Sequence, residues 1–69
     1  MEISARNTFK GTVKKVVHGA VNSEVTIEVA PGVKMTAIIT KSSAERLGLA
    51  EGKEAYAVVK ATDVMVATD

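Results

Sequence analysis

The 69-residue chain has no cysteine and no tryptophan, one proline and one histidine, and its aromatic side chains are Phe9 and Tyr56. Without cysteine there can be no disulfides, zinc–thiolate sites or thiol nucleophiles. A lone His18 cannot build a metal site. Two aromatics do not make a base-stacking platform for single-stranded nucleic acid. Charge of one sign is also missing. Nine Lys and Arg against eight Asp and Glu give a net charge of +1, whereas nucleic-acid-binding domains carry a basic excess or stripe. Lys14-Lys15 is the only adjacent pair of cations. Long apolar runs are absent too, and the short ones present cannot span a bilayer. Met1-Glu2-Ile3-Ser4 lacks the basic and apolar regions of a secretion signal, so the chain reads as cytoplasmic and soluble. There is no P-loop, no GxGxxG and no defensible Ser-His-Asp grouping. Glu24 and Glu28 lie on a polar strand face as solvated carboxylates. The expectation is a protein that is not an enzyme.

What remains is a small apolar domain. A chain of this size buries only about 60% of the surface its unfolded form exposes, so its core is marginal. The usual remedies are disulfides, metals or oligomerisation. The first two are excluded, and 46% of the residues are hydrophobic, so part of that apolar surface is expected to lie between subunits.

Alternation dominates the pattern. A first strand runs from Thr12 through Val17 and breaks at His18-Gly19. A second places Val21, Ser23, Val25, Ile27 and Val29 on one face and Asn22, Glu24, Thr26 and Glu28 on the other. Ser23 is the oddity, a hydroxyl on the apolar side. Ala30-Pro31-Gly32-Val33 is a tight turn, with Pro fixing φ and Gly supplying positive φ, and a third strand follows from Lys34 to Ile39. Ser42-Ser43-Ala44-Glu45 has the capping-box form, and Arg46-Leu47-Gly48 ends a helix of about two turns. After a turn at Glu51–Glu54 come a fourth strand, Ala55 to Lys60, and a fifth, Val64 to about Ala67. The expected fold is all-β: a small OB-like antiparallel five-stranded barrel with one short helix after strand three, forming a single domain over residues 1–69.

Three short stretches combine a cation with small neighbours and contain no carboxylate: Ser4-Ala5-Arg6-Asn7, Thr40-Lys41-Ser42-Ser43 and Val59-Lys60-Ala61-Thr62. A pocket made only of donors suits a fully deprotonated oxyanion. Arg6 reads either as a solvated terminal side chain or as a guanidinium fork on two oxyanion oxygens. Ser4, two residues earlier in extended chain, points to the same side. Thr40 and Ser43 either cap the helix or face an anion while Ser42 caps. Lys60 is either the polar boundary of an apolar strand or a point charge on the anion, with the Ala61 N–H as a further donor. For the latter, Asp63 must face away. His18-Gly19-Ala20-Val21 reads first as a turn between strands, and second as a nest of backbone N–H groups for another anion.

These segments, in this order and spacing, resemble the molbindin family of molybdate-binding proteins built from a single Mop domain. The resemblance is carried by Ile3-Ser4-Ala5-Arg6-Asn7 with Lys10-Gly11, by Thr40-Lys41-Ser42-Ser43 before Leu47-Gly48-Leu49, and by Val58-Val59-Lys60-Ala61-Thr62-Asp63-Val64-Met65. It covers essentially the whole chain without insertion. It implies an OB-like barrel assembled as a hexamer, a trimer of dimers, with molybdate as the ligand, tungstate as its analogue and no organic cofactor. It also implies sites between subunits: one subunit supplies Ser4, Arg6, Lys60 and the Ala61 backbone, and its neighbour supplies Thr40 and Ser43. A further oxyanion site would involve His18, Gly19, Ala20 and Val21. Related domains occur in transcription regulators and transporter ATPases; 69 residues leave no room for such partners, which favours free-standing storage and homeostasis, without nucleic acid or membrane. The rival expectation is an OB-like interaction module that binds nucleic acid or a protein.

Overall fold

The computed structural model describes residues 1–69. Four strands form one antiparallel sheet: β1 (Asn7–His18), β2 (Asn22–Ala30), β3 (Val33–Thr40) and β4 (Glu54–Val59). A six-residue helix, α1 (Lys41–Arg46), follows β3, and a short 3-10 turn (Ala61–Asp63) follows β4. Strand order across the sheet is β3-β2-β1-β4. The sheet curls into an OB-like half-barrel.

β1 organises the molecule because it serves two neighbours in succession. Asn7–Thr12 pairs with β4, and Thr12–His18 pairs with β2. A bulge between Val13 and Lys15 lets the strand bend between these duties. The pairing with β4 carries the strand five residues before Thr12, where the alternation alone had begun it. Gly11 sits at the crossing. A Cβ there would run into the Glu28 carbonyl and stand 2.8 Å from Ile27 Cγ2, so only glycine lets the strands approach this closely. The β2–β3 hairpin closes through Pro31-Gly32, with Gly32 at φ 75°, as the turn chemistry requires.

The strand count is four, not five. Val64–Ala67 alternates as a strand should, but a strand exists only where its backbone groups meet an edge. In the chain itself Val64 merely closes the 3-10 turn, its N–H donating to the Ala61 carbonyl. Beyond it Met65 and Val66 are 94% and 89% exposed.

The helix cap also differs from the expectation. β3 continues to Thr40 in extended conformation, and α1 starts two residues sooner than a Ser42 cap implies, so Thr40 takes the cap: its Oγ1 accepts the Ser43 N–H at 3.1 Å. Glu45 then falls outside the capping-box position, and Ser42 is not the cap. The helix ends as glycine dictates. Gly48 adopts φ 64°, its N–H donates to Glu45 and that of Leu49 to Ala44, the paired bonds of a Schellman motif.

Only five residues are fully buried: Val13, Ser23, Val25, Ile27 and Ala44. Val16, Val29, Ile39, Leu49, Ala55 and Ala57 pack partly against them. Val21, expected on the inner face of β2, precedes that strand and is exposed. Between the outer edges of β3 and β4 the half-barrel leaves an apolar hollow of about 610 Å³. No helix is long and apolar enough to cross a membrane.

Candidate functional site

The register of the sheet sorts the candidate residues into two groups. Asn7 pairs with Val59, which sets the segment leading into β1 beside the chain leaving β4. Ser4 and Arg6 are exposed there, while Ala5 and Asn7 are half-buried. Ser4 and Arg6 both fall at bends before β1 begins, so the regular extended segment expected to align them is not formed. Lys60 caps the 3-10 turn in extended conformation, with no side-chain hydrogen bond of its own. That turn uses the N–H groups of Asp63 and Val64 and leaves the Ala61 N–H without an acceptor in the chain. The ion pairs of the molecule are Lys10–Glu54 and Lys14–Glu28. Neither Arg6 nor Lys60 is neutralised, and Asp63 pairs with neither of them.

The second group gathers at the other end of β1. His18 pairs with Ser23, and Asn22 with Thr40. The Gly19 N–H donates to the Asn22 carbonyl at 2.8 Å, and the Lys41 N–H to the Val21 carbonyl at 2.7 Å, so the His18–Val21 turn is tied to the start of α1. Ala20 and Val21 keep N–H groups with no acceptor in the chain. Thr40 Oγ1 donates to Ser43 Oγ at 2.7 Å and lies 3.3 Å from Ser42 Oγ. Donating to Ser43 leaves the Ser43 hydroxyl proton free for an outside acceptor.

The sequence did not reveal one feature of this end. Ser23 is 1% exposed and its Oγ lies 2.7 Å from His18 Nδ1. A buried hydroxyl needs a partner, and the histidine supplies it while closing the last rung between β1 and β2. The signal was present in the sequence, as an inward-facing serine five residues after the chain's only histidine.

The register thus sets the segment carrying Ser4 and Arg6 next to the chain at Lys60 and Ala61, and ties Thr40 and Ser43 to the His18–Val21 turn at the other end of β1. Asn7 and His18 are the two ends of the twelve-residue β1, which bends between them at the Val13/Lys15 bulge. Each end is a cluster of donors without a facing carboxylate, suited to part of an oxyanion's shell. No group of three His, Cys, Asp or Glu side chains converges on a metal position.

A curled four-stranded half-barrel with a short helix after its third strand defines an OB-like domain with donor-rich ends. The TOBE domain pattern matches residues 3–66, and the chain belongs to that family. It is 53% identical over 66 residues to molybdenum-pterin-binding protein 2 of Clostridium pasteurianum, covering 96% of this chain and 97% of the relative. Its structure superposes on MopII from the same organism with a TM-score of 0.91 at 51% identity, covering 97% of this chain and 100% of the other. It also matches a molybdate-binding protein from Sporomusa ovata with a TM-score of 0.91 at 37% identity, covering 99% and 100% of the two chains. The resemblance to the molbindins is borne out over the whole domain. The molybdenum-pterin-binding protein and the Sporomusa ovata protein are named as binding proteins rather than enzymes.

Proposed function

We propose that this protein binds molybdate, with tungstate as an analogue, and serves intracellular molybdenum storage and homeostasis as a single Mop domain in the cytoplasm. Each principal site lies between subunits. One subunit contributes Ser4, Arg6, Lys60 and the Ala61 N–H; its neighbour contributes Thr40 and Ser43. A second kind of site uses the turn His18-Gly19-Ala20-Val21. The assembly is a homohexamer arranged as a trimer of dimers, and the ligand enters and leaves without chemistry or an organic cofactor.

The observation that carries this reading is the separation of two complementary donor clusters by the full length of β1. A site that needs both must recruit them from different chains. The relatives support the choice of ligand, being named for molybdenum or molybdate. Physical chemistry supports the selectivity. Molybdate and tungstate offer four acceptor oxygens and no proton at neutral pH. Hydrogen phosphate would turn a proton toward donors and leave a buried group unpaired, at a cost of about 1–3 kcal/mol. Sulfate lacks that penalty and must be rejected on size.

Calorimetric titration with molybdate, with sulfate and phosphate as controls, tests the reading. Several molybdate ions per assembly with weak responses to the controls is the expected result. No heat with any oxyanion would turn attention to the rival interaction module, which a salt-sensitive gel shift with RNA or single-stranded DNA would reveal.

A further inference from the structure

The chain's one histidine stands at the turn from β1 to β2, and its pairing decides which ring nitrogen faces outward. His18 Nδ1 lies 2.7 Å from Ser23 Oγ, and Ser23 is buried while His18 is exposed. The buried hydroxyl anchors Nδ1 at the sheet and leaves Nε2 as the nitrogen open to a ligand. A hydroxyl can donate to Nδ1 or accept from it, so the same contact holds the ring in its neutral and its protonated form. Just beyond the ring, the Ala20 and Val21 N–H groups have no acceptor in the chain.

The charges around the imidazole do not neutralise it. His18 pairs with Ser23, whereas Val17 pairs with Glu24 and Lys15 with Thr26. Successive strand residues alternate faces, so Glu24 and Lys15 lie on the opposite face of the sheet. β3 places Ile39 opposite Ser23. α1, packed against β2 and β3, carries Lys41, Glu45 and Arg46. The ion pairs of the molecule lie elsewhere, at Lys10–Glu54 and Lys14–Glu28.

We propose that His18 is the charged ligand of the second oxyanion site and holds the anion as an imidazolium, so that occupancy of this site is coupled to a proton. The proposal deepens the function given above and rests on it for the site at His18–Val21. An oxyanion without protons can only accept. A neutral ring protonated at Nδ1 would turn the Nε2 lone pair toward it. The imidazolium turns an N–H and a full positive charge instead, beside the two free backbone donors. Histidine changes charge within the physiological range, and coupling between two ligands is reciprocal. A proton on His18 therefore tightens the anion, and the anion tightens the proton. Affinity at this site rises as pH falls, and binding takes protons from the buffer. The principal site contains no histidine and does not follow.

Molybdate titration of the full-length assembly at about pH 6 and about pH 8 tests the proposal, run in two buffers of different ionisation heat to count protons. One class of bound ion should tighten about tenfold at the lower pH and take up protons, while the other stays constant. His18→Gln should abolish both the pH dependence and the proton uptake. His18→Lys, charged at both values, should keep the tight form throughout without proton uptake. Wild-type binding that is the same at both pH values would overturn the proposal, and so would a pH dependence that survives in His18→Gln. Molybdate bound in a pH-independent class alone sinks this proposal and spares the function it rests on. No binding under any condition sinks both.

Discussion

Thr40 Oγ1 accepts the backbone N–H of Ser43 at 3.1 Å and donates its own proton to Ser43 Oγ at 2.7 Å. One threonine thereby caps the helix and aims a neighbouring hydroxyl outward. The two functions can be separated by mutation. Thr40→Ala should lower stability by about 1 kcal/mol, the usual cost of a lost cap, and weaken molybdate binding as well. Ser43→Ala should weaken binding with little effect on the thermal midpoint, because its backbone N–H keeps its acceptor. Paired melting curves and titrations check this.

Arg6→Ala and Lys60→Ala should leave the fold intact. Both residues are exposed and neither makes an ion pair, so removal breaks no structural contact. Each should weaken molybdate binding by roughly 10–100-fold, the worth of about 1.5–3 kcal/mol for a charge-assisted hydrogen bond. The rise in melting temperature that ligand confers on the wild type should shrink accordingly. Unchanged titrations in both variants would remove these residues from the site.

Gly11→Ala should destabilise without touching a donor. The added methyl meets the Glu28 carbonyl and the Ile27 side chain where β1 crosses β2, and overpacking of this kind costs about 1–3 kcal/mol. The check is a lowered denaturation midpoint with unaltered molybdate affinity in the folded fraction.

Ser23→Ala should cost about 1 kcal/mol, since it removes the buried partner of His18 Nδ1. If the His18–Val21 turn holds a second oxyanion, the same change should loosen that turn and lower the number of bound ions more than the affinity of those remaining. Stoichiometry from calorimetry separates the two effects.

Legibility in the sequence followed the range of the interactions. The β2–β3 hairpin was plain because Ala30-Pro31-Gly32-Val33 dictates its own turn, and Gly48 marked the helix end for the same local reason. The true cap was missed because β3 extends to Thr40 through its pairing with Asn22, a long-range contact that moved the helix start. The fifth strand was misjudged for a related reason. Val64–Ala67 has strand chemistry, but after the 3-10 turn at Ala61–Asp63 it meets neither free edge of the sheet and stays exposed. The composition of the donor clusters was readable. Their placement at opposite ends of β1 was not, because it depends on β1 pairing first with β4 and then with β2.

The central claim is that each principal site is built by two subunits from opposite ends of the fold. Co-expression of two chains tests it most directly, one carrying Arg6→Ala and Lys60→Ala, the other Thr40→Ala and Ser43→Ala. Neither chain alone should bind molybdate tightly. In mixed assemblies an intact donor set from each chain can meet at shared interfaces, and random mixing should restore about a quarter of the sites at wild-type affinity. Mixed assemblies that recover no tight binding would contradict the account.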